Sequence, residues 1–247
     1  MTRILSIFFL FAVTSMTCQS QSINSPIENR AYYRTHNAGT VFMHTRGIGL
    51  SFQRGWRTSG FSNRVINFEL LTLRHPKEYK VTNPAAQNSR GYFYGKLNSV
   101  GLLRASFGWQ KTVFDKVVKR GVRVSYFTLI GPTIGMAKPV YVDLKPPSGE
   151  GGSTQIVRYT TDVHNQGVVQ GRAPMLYKLG TTKIYPGGHA RFILNFEYSG
   201  DDSMIKAIET GVNLDVFAKK IPIMEHTYND QFYLTLFIGF QFGKRYI

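Results

Sequence analysis

Cys18 is the only cysteine among 247 residues, so no intrachain disulfide can form. Beyond residue 20 no apolar run reaches the roughly 18 residues of a transmembrane helix. Histidine and cysteine nowhere fall at metal-ligand spacing. Phosphate-loop and dinucleotide signatures are missing too, as are internal repeats and heptads. These absences exclude a disulfide scaffold, a helical membrane bundle, a zinc module and the common nucleotide-dependent enzymes, and no cofactor is expected. Acidic side chains are also scarce, 14 against 30 Lys and Arg, for a formal charge of +16.

What the chain does have is glycine (24), phenylalanine (18) and tyrosine (14), the supply needed for strands with glycine kinks and interfacial aromatic belts. Its start reads as an export signal. Arg3 is the only charge before Glu28, Ile4–Val13 is a short apolar run, and small polar residues follow to Ser20. We expect residues 1–20 to be a signal peptide and 21–37 an N-terminal segment. Ser15 and Thr17 fit poorly with a lipoprotein signal around Cys18. An exported address turns the basic charge away from nucleic acid, its usual counterpart. Anionic outer-membrane lipid, lipopolysaccharide or an acidic envelope protein partner fits better.

The last strand carries the clearest pattern. Phe232, Leu234, Leu236, Ile238, Phe240 and Phe242 share one face, while Tyr233, Thr235, Phe237, Gly239, Gln241 and Gly243 share the other. An apolar face opposite a mixed one suits lipid outside and a barrel lumen inside. The same alternation recurs along the chain. Ile48, Leu50 and Phe52 oppose Gly49, Ser51 and Gln53; Ile66, Phe68 and Leu70 oppose Asn67 and Glu69; Leu103, Phe107 and Trp109 oppose Arg104, Ser106 and Gln110. Val122, Val124 and Tyr126 then oppose Arg123 and Ser125; Phe192, Leu194 and Phe196 oppose Arg191, Asn195 and Glu197; Val212, Leu214 and Val216 oppose Glu209, Asn213 and Asp215.

With the final strand ending in the periplasm, the links counted backwards alternate long outside and short inside, as such barrels require. Lys219–Asp230, Ala137–Gly188 and Pro76–Arg90 become external; Ser199–Ser203, Lys116–Arg120 and Arg57–Ser62 become internal. The fold class is therefore all-β, an antiparallel transmembrane β-barrel over residues 38–247 in the cell outer membrane, with a long external loop at 137–188. Eight strands are expected if Val41–Trp56 splits at Arg46-Gly47. Its first strand would then fall short of the roughly 9–11 residues that a span needs. A ten-stranded barrel with a further hairpin from Thr154–Thr182 is the alternative.

Several strings carry a resemblance: His44-Thr45-Arg46-Gly47, His75-Pro76-Lys77-Glu78, Tyr94-Gly95-Lys96-Leu97-Asn98, Lys138-Pro139-Val140-Tyr141, and Pro186-Gly187-Gly188 running to Asn195-Phe196-Glu197-Tyr198. The chain resembles an uncharacterised group of Bacteroidota outer-membrane β-barrel proteins. That resemblance implies the barrel and its address and brings no catalytic residue with it.

Two sets of residues stand out as candidate sites. Glu69, Arg104, Arg123, Arg191, Glu197, Glu209 and Asp215 all fall on the lumen face. Because the interior of a small barrel is filled by side chains and a buried charge needs a partner, they read as a salt-bridge network. At the outer rim stand His75, Lys77, Lys138 and Tyr141, where strands leave the membrane; a periplasmic rim is expected at Lys111, Lys116, Lys119 and Arg120. The expectation for function is a non-enzymatic structural or accessory barrel of an envelope complex. The competing class is a lipid A deacylase-like hydrolase, for which His189 and Ser125 would be the base and nucleophile.

Overall fold

The computed structural model describes residues 33–83, 91–116, 121–144, 155–160, 169–174, 177–225 and 227–247, all within one compact unit, Tyr32–Ile247. The expected signal peptide with Cys18, the segment at 21–32, Lys119 and Arg120 lie outside the described residues.

Thirteen strands occur among the described residues: β1 (Thr35–His44), β2 (Gly47–Arg57), β3 (Ser62–Leu73), β4 (Lys80–Val81), β5 (Tyr92–Phe93), β6 (Asn98–Phe114), β7 (Arg123–Pro139), β8 (Tyr141–Leu144), β9 (Gln155–Arg158), β10 (Val169–Arg172), β11 (Lys183–Glu197), β12 (Met204–Phe217) and β13 (Phe232–Tyr246). Eight of them close into an antiparallel barrel in the order β1-β13-β12-β11-β7-β6-β3-β2. Closure is made by β1 against β13, from Thr35↔Tyr246 to His44↔Phe237. The period-two pattern decides which face each side chain takes. Leu50, Phe52, Phe68, Phe107, Trp109, Phe192, Leu214 and the even-numbered residues of β13 from Phe232 to Phe242 are exposed on the outside, forming the apolar band of a transmembrane barrel. Phe61, Phe114, Tyr198 and Tyr246 ring the end where the connections are short, at the level of an interfacial aromatic girdle.

Glycines on the lumen face make room for the side chains that fill it. A Cβ at Gly55 would stand 2.0 Å from the His36 ring, and one at Gly49 would stand 2.5 Å from the Phe42 ring.

Three expectations need correction. The first strand begins at Thr35, inside the segment expected to precede the barrel, and is long enough to span. Its outward residues near the turn end are Thr35, Asn37 and Gly39, so no apolar alternation announces it. Among the described residues, no strand from Thr154–Thr182 joins the barrel. Within that stretch, β9 and β10 have four residues each and join β8 in a separate three-stranded sheet, too short to cross a membrane. The wall also runs further than the loop boundaries 137–188 allowed, because β7 continues to Pro139 and β11 starts at Lys183.

At the loop end the connections fold into a cap. Tyr92, Val140, Val142, Tyr159 and Val169 form its apolar core. The Gly95 N–H donates to the Tyr159 hydroxyl at 3.0 Å, and Asn83 donates to the Val169 carbonyl at 3.1 Å. Pro139 ends the barrel ladder, and Val140 turns the chain from wall to cap. The link between β12 and β13 dips into the mouth. Ile221, Ile223 and Met224 pack on Leu71, Leu73, Val100, Leu102, Ala137 and Phe217 as an apolar plug. Asn229 pins that link, accepting from the Ile223 N–H at 2.8 Å and donating to the Met224 carbonyl at 2.9 Å.

Candidate functional site at the lumen and its loop-end rim

The lumen holds its charges in two clusters. In the first, Arg104 clasps Asp215 with two parallel bonds, Nε to Oδ1 at 2.8 Å and Nη2 to Oδ2 at 2.6 Å, and gives Nη1 to Glu69 at 2.9 Å. Glu69 also accepts from Asn67 at 2.7 Å and pairs with Arg191. Two guanidiniums meet two carboxylates, so the cluster is formally neutral. Arg191 lies 4.0 Å from the ring centre of Phe237 and 5.0 Å from that of Phe42, a sandwich in which aromatic faces take over part of the lost hydration. The lumen aromatics therefore belong to the electrostatics as well as to the packing.

The second cluster sits at the turn end around Glu197. Lys116 reaches it at 3.0 Å, Arg123 at 3.6 Å, and Arg245 completes the group. Each cation keeps another acceptor: Asp115 for Arg123 at 2.7 Å, the Ser199 carbonyl for Lys116 at 2.5 Å, and the Asp202 carbonyl for Arg245 at 2.9 Å. Between the clusters, Glu209 departs from the expected ion pairing. It accepts from Thr40 at 3.0 Å and Asn195 at 3.1 Å, and Asn195 also donates to Gln241 at 2.8 Å.

Sequence reasoning missed several members of these clusters. Arg245 continues the lumen-facing alternation of β13 past Gly243, so the period itself held the signal. Lys116 lies beyond the end of β6, where alternation no longer reports direction. It is buried in the lumen against Glu197 and does not stand on an exposed rim, while Lys111 stays exposed outside.

His189 and Ser125 are not brought together. They lie on adjacent strands, but Ser125 is opposite Asn195 and His189 opposite Gly131, six positions apart, or about 20 Å at the rise of a strand. His189 instead shares a hydrogen bond with Thr133 at 2.9 Å, and Ser125 one with Thr112 at 3.3 Å.

The outer-rim candidates fall in two places. The Lys77 N–H donates to His75 Nδ1 at 3.2 Å, and the His75 N–H donates to Glu78 at 3.1 Å, a turn that closes on itself. Glu78 also pairs with Lys96 at 2.6 Å. Burial holds the Lys96 ammonium below the ordinary lysine range, while Glu78 pulls the other way. Lys138 and Tyr141 stand instead at the base of the cap sheet, where the Tyr141 ring packs edge-on to Tyr177 at 5.3 Å and its hydroxyl meets Thr181 at 3.3 Å.

Beside His75 the barrel wall is low, because β1 and β2 are joined by only Thr45 and Arg46. A groove of about 690 Å³ opens there, lined by Met43, Ile48, Leu236 and Ile238 and edged by Arg46 and Arg74.

No family model matches the chain, and no curated protein matches it. Among solved structures it is similar to Neisserial surface protein A, with 6% identity over 87% of this chain and 97% of that one at a TM-score of 0.45. It is also similar to Ail, the attachment invasion locus protein of Yersinia pestis, with 7% identity over 87% of this chain and 100% of that one at a TM-score of 0.42. A second Ail structure, in complex with the heparin analogue sucrose octasulfate, gives 6% identity, 86% and 97% coverage and a TM-score of 0.39.

Proposed function

We propose that this protein is a non-enzymatic barrel of a Gram-negative outer membrane that acts through its outer surfaces, as a structural element or as an accessory subunit of a cell-envelope complex. In this orientation the turn end faces the periplasm and the cap faces outward to lipopolysaccharide or a protein partner. The observation that carries the reading is the filled lumen. Ion clusters occupy its middle and lower parts, and the Ile221–Met224 plug occupies the mouth, which leaves the surface as the place to act. Support also comes from the packed cap, since folded loops of this size in compact proteins are commonly functional. The separation of His189 from Ser125 removes the specific pair on which the hydrolase alternative rested.

Carbonate-resistant membrane fractionation and heat-modifiable gel migration test the location; a soluble periplasmic protein would sink it. Affinity purification of the tagged protein from gently solubilised membranes tests the role. The expected result is a stoichiometric envelope partner that is lost when residues 141–172 are replaced by a short Gly-Ser link. A partnerless monomer with deacylase activity abolished by His189→Ala would overturn the reading.

A further inference from the structure

We propose that the notch in the wall above the β1–β2 hairpin is a binding site for a phosphate-bearing acylated lipid of the outer leaflet, its headgroup held by Arg46 and Arg74. The inference rests on the outer-membrane reading above and adds a specific lipid site to it. The notch arises from unequal strand lengths. β13 pairs with β1 only from Phe237 onward, and the Thr45 N–H makes the last bond, to the Leu236 carbonyl at 3.0 Å. From Phe232 to Thr235, β13 has β12 on one flank and no described strand on the other. On the far side the Arg74 N–H donates to the Arg46 carbonyl at 2.8 Å, which sets the main chains of the two arginines side by side on the rim.

The chemistry of the groove selects its occupant. Met43, Ile48, Leu236 and Ile238 are all more than half exposed and continue the apolar band, so the surface below the arginines belongs to the hydrocarbon of the membrane. A sugar would have no counterpart for it, whereas an acyl chain already within the hydrocarbon would. Above that floor, Arg74 is exposed and has no carboxylate within ion-pair distance among the described residues. Arg46 lies 5.1 Å from the ring centre of Tyr233, which faces the mouth of the lumen, and pairs with Asp230 at 4.0 Å. Its Nη1 is buried without a hydrogen-bond partner among the described residues. Arg74 offers an exposed guanidinium at headgroup height, and Arg46 stands beside it at the mouth; together they suit the planar, forked recognition of a phosphate.

Native mass spectrometry of the full chain, released from detergent in the presence of bis-phosphorylated lipid A, tests this. One lipid should be retained per barrel. Arg46→Gln with Arg74→Gln should weaken retention by roughly thirtyfold, the change expected when two cations facing an anionic headgroup are lost. Arg46→Lys with Arg74→Lys should restore only part of it, since the ammonium keeps the charge and loses the fork. Lys111→Gln, on the outside at the turn end, should leave retention unchanged, and millimolar inorganic phosphate should not displace the lipid. Equal retention of fully dephosphorylated lipid A, or undiminished retention by the double Gln variant, would refute the site. Heat-modifiable migration of each variant confirms that the barrel has formed. A chain that fails carbonate fractionation would bring down the outer-membrane reading instead, so the two failures are distinguishable.

Discussion

Glu69 and Glu197 each hold more than one cation, yet they do so under different cover. Glu69, Arg104, Arg191 and Asp215 are all fully buried, and Glu69 is the one carboxylate paired with Arg191 among the described residues. Around Glu197 the cover is thinner, with the Asp115 side chain 32% exposed and that of Arg123 20%, and every cation has a second acceptor. Charge removal is therefore costly in the middle of the lumen and cushioned at its turn end. Low surrounding dielectric strengthens a complete network and penalises an incomplete one. The first cluster should behave as a unit and the second as separable contacts.

Glu69→Gln should have the largest effect. It leaves the Arg191 guanidinium buried without a carboxylate, at a cost on the order of 3–5 kcal/mol, read as a drop in the urea midpoint of the detergent-solubilised barrel. The sharper version pairs it with Arg191→Leu. Removing both charges should recover most of the loss, because a missing pair leaves no orphaned ion. If the double variant is no more stable than Glu69→Gln alone, the cluster does not act as a unit.

The plug offers a second contrast, since it closes the same lumen without charge. Ile223→Ala should cost roughly 2–4 kcal/mol through lost burial and the cavity left behind. Because Ile223 sits in the β12–β13 link, the loss should be accompanied by faster proteolysis of that link. Unchanged cleavage would mean that the link is held by Asn229 rather than by its apolar contacts. At the turn end, Glu197→Gln should cost only about 1.5–3 kcal/mol, the range for hydrogen bonds to charged groups. Its effect should also shrink more with added salt than that of Glu69→Gln, since screening reaches the partly exposed Arg123 and Asp115 before the fully buried middle cluster.

The wall was legible because one rule governed it. Lipid outside and a packed lumen inside force strict alternation, so Phe107 against Arg104 and Phe192 against Arg191 can be assigned by counting. The rule loses its grip wherever the chain leaves the hydrocarbon. Asn37 and Gly39 reach the interface, where polar residues are tolerated, and β1 is masked there. Lys116 lies past the last alternating residue of β6, and its direction is set by Glu197 on β11, 81 positions away. The cap was invisible for a related reason: β9 and β10 are too short for a period to show, and their pairing with β8 is a matter of long-range packing. The notch at Arg46 needed strand lengths, which depend on register and on where each neighbour stops. Arg46 and Gly47 were readable as a turn, but the height of that turn in the wall was not.

The smallest effect expected is in the cap, which extends the comparison to a region whose core, among the described residues, is apolar. Tyr92 is buried among Val140, Val142, Tyr159 and Val169, with its ring centre 5.9 Å from that of Tyr159, and its hydroxyl has no hydrogen-bond partner among the described residues. Burial, with smaller contributions from the neighbouring tyrosines, pushes the phenol up to about 12. The sign follows from linkage. An unfolded tyrosine ionises near its ordinary value of about 10 while the folded one stays neutral, so the unfolded state releases its proton first. The contribution of Tyr92 is therefore intact below about pH 10 and is lost as pH rises toward about 12. The arginines of the barrel clusters remain charged throughout that window, so the cap should loosen while the wall holds. Protease nicking of the cap should rise with pH before heat-modifiable migration changes, and Tyr92→Phe should flatten that rise. Wall and cap failing together, or a Tyr92→Phe cap as alkali-sensitive as the original, would show that the phenol does not set the limit.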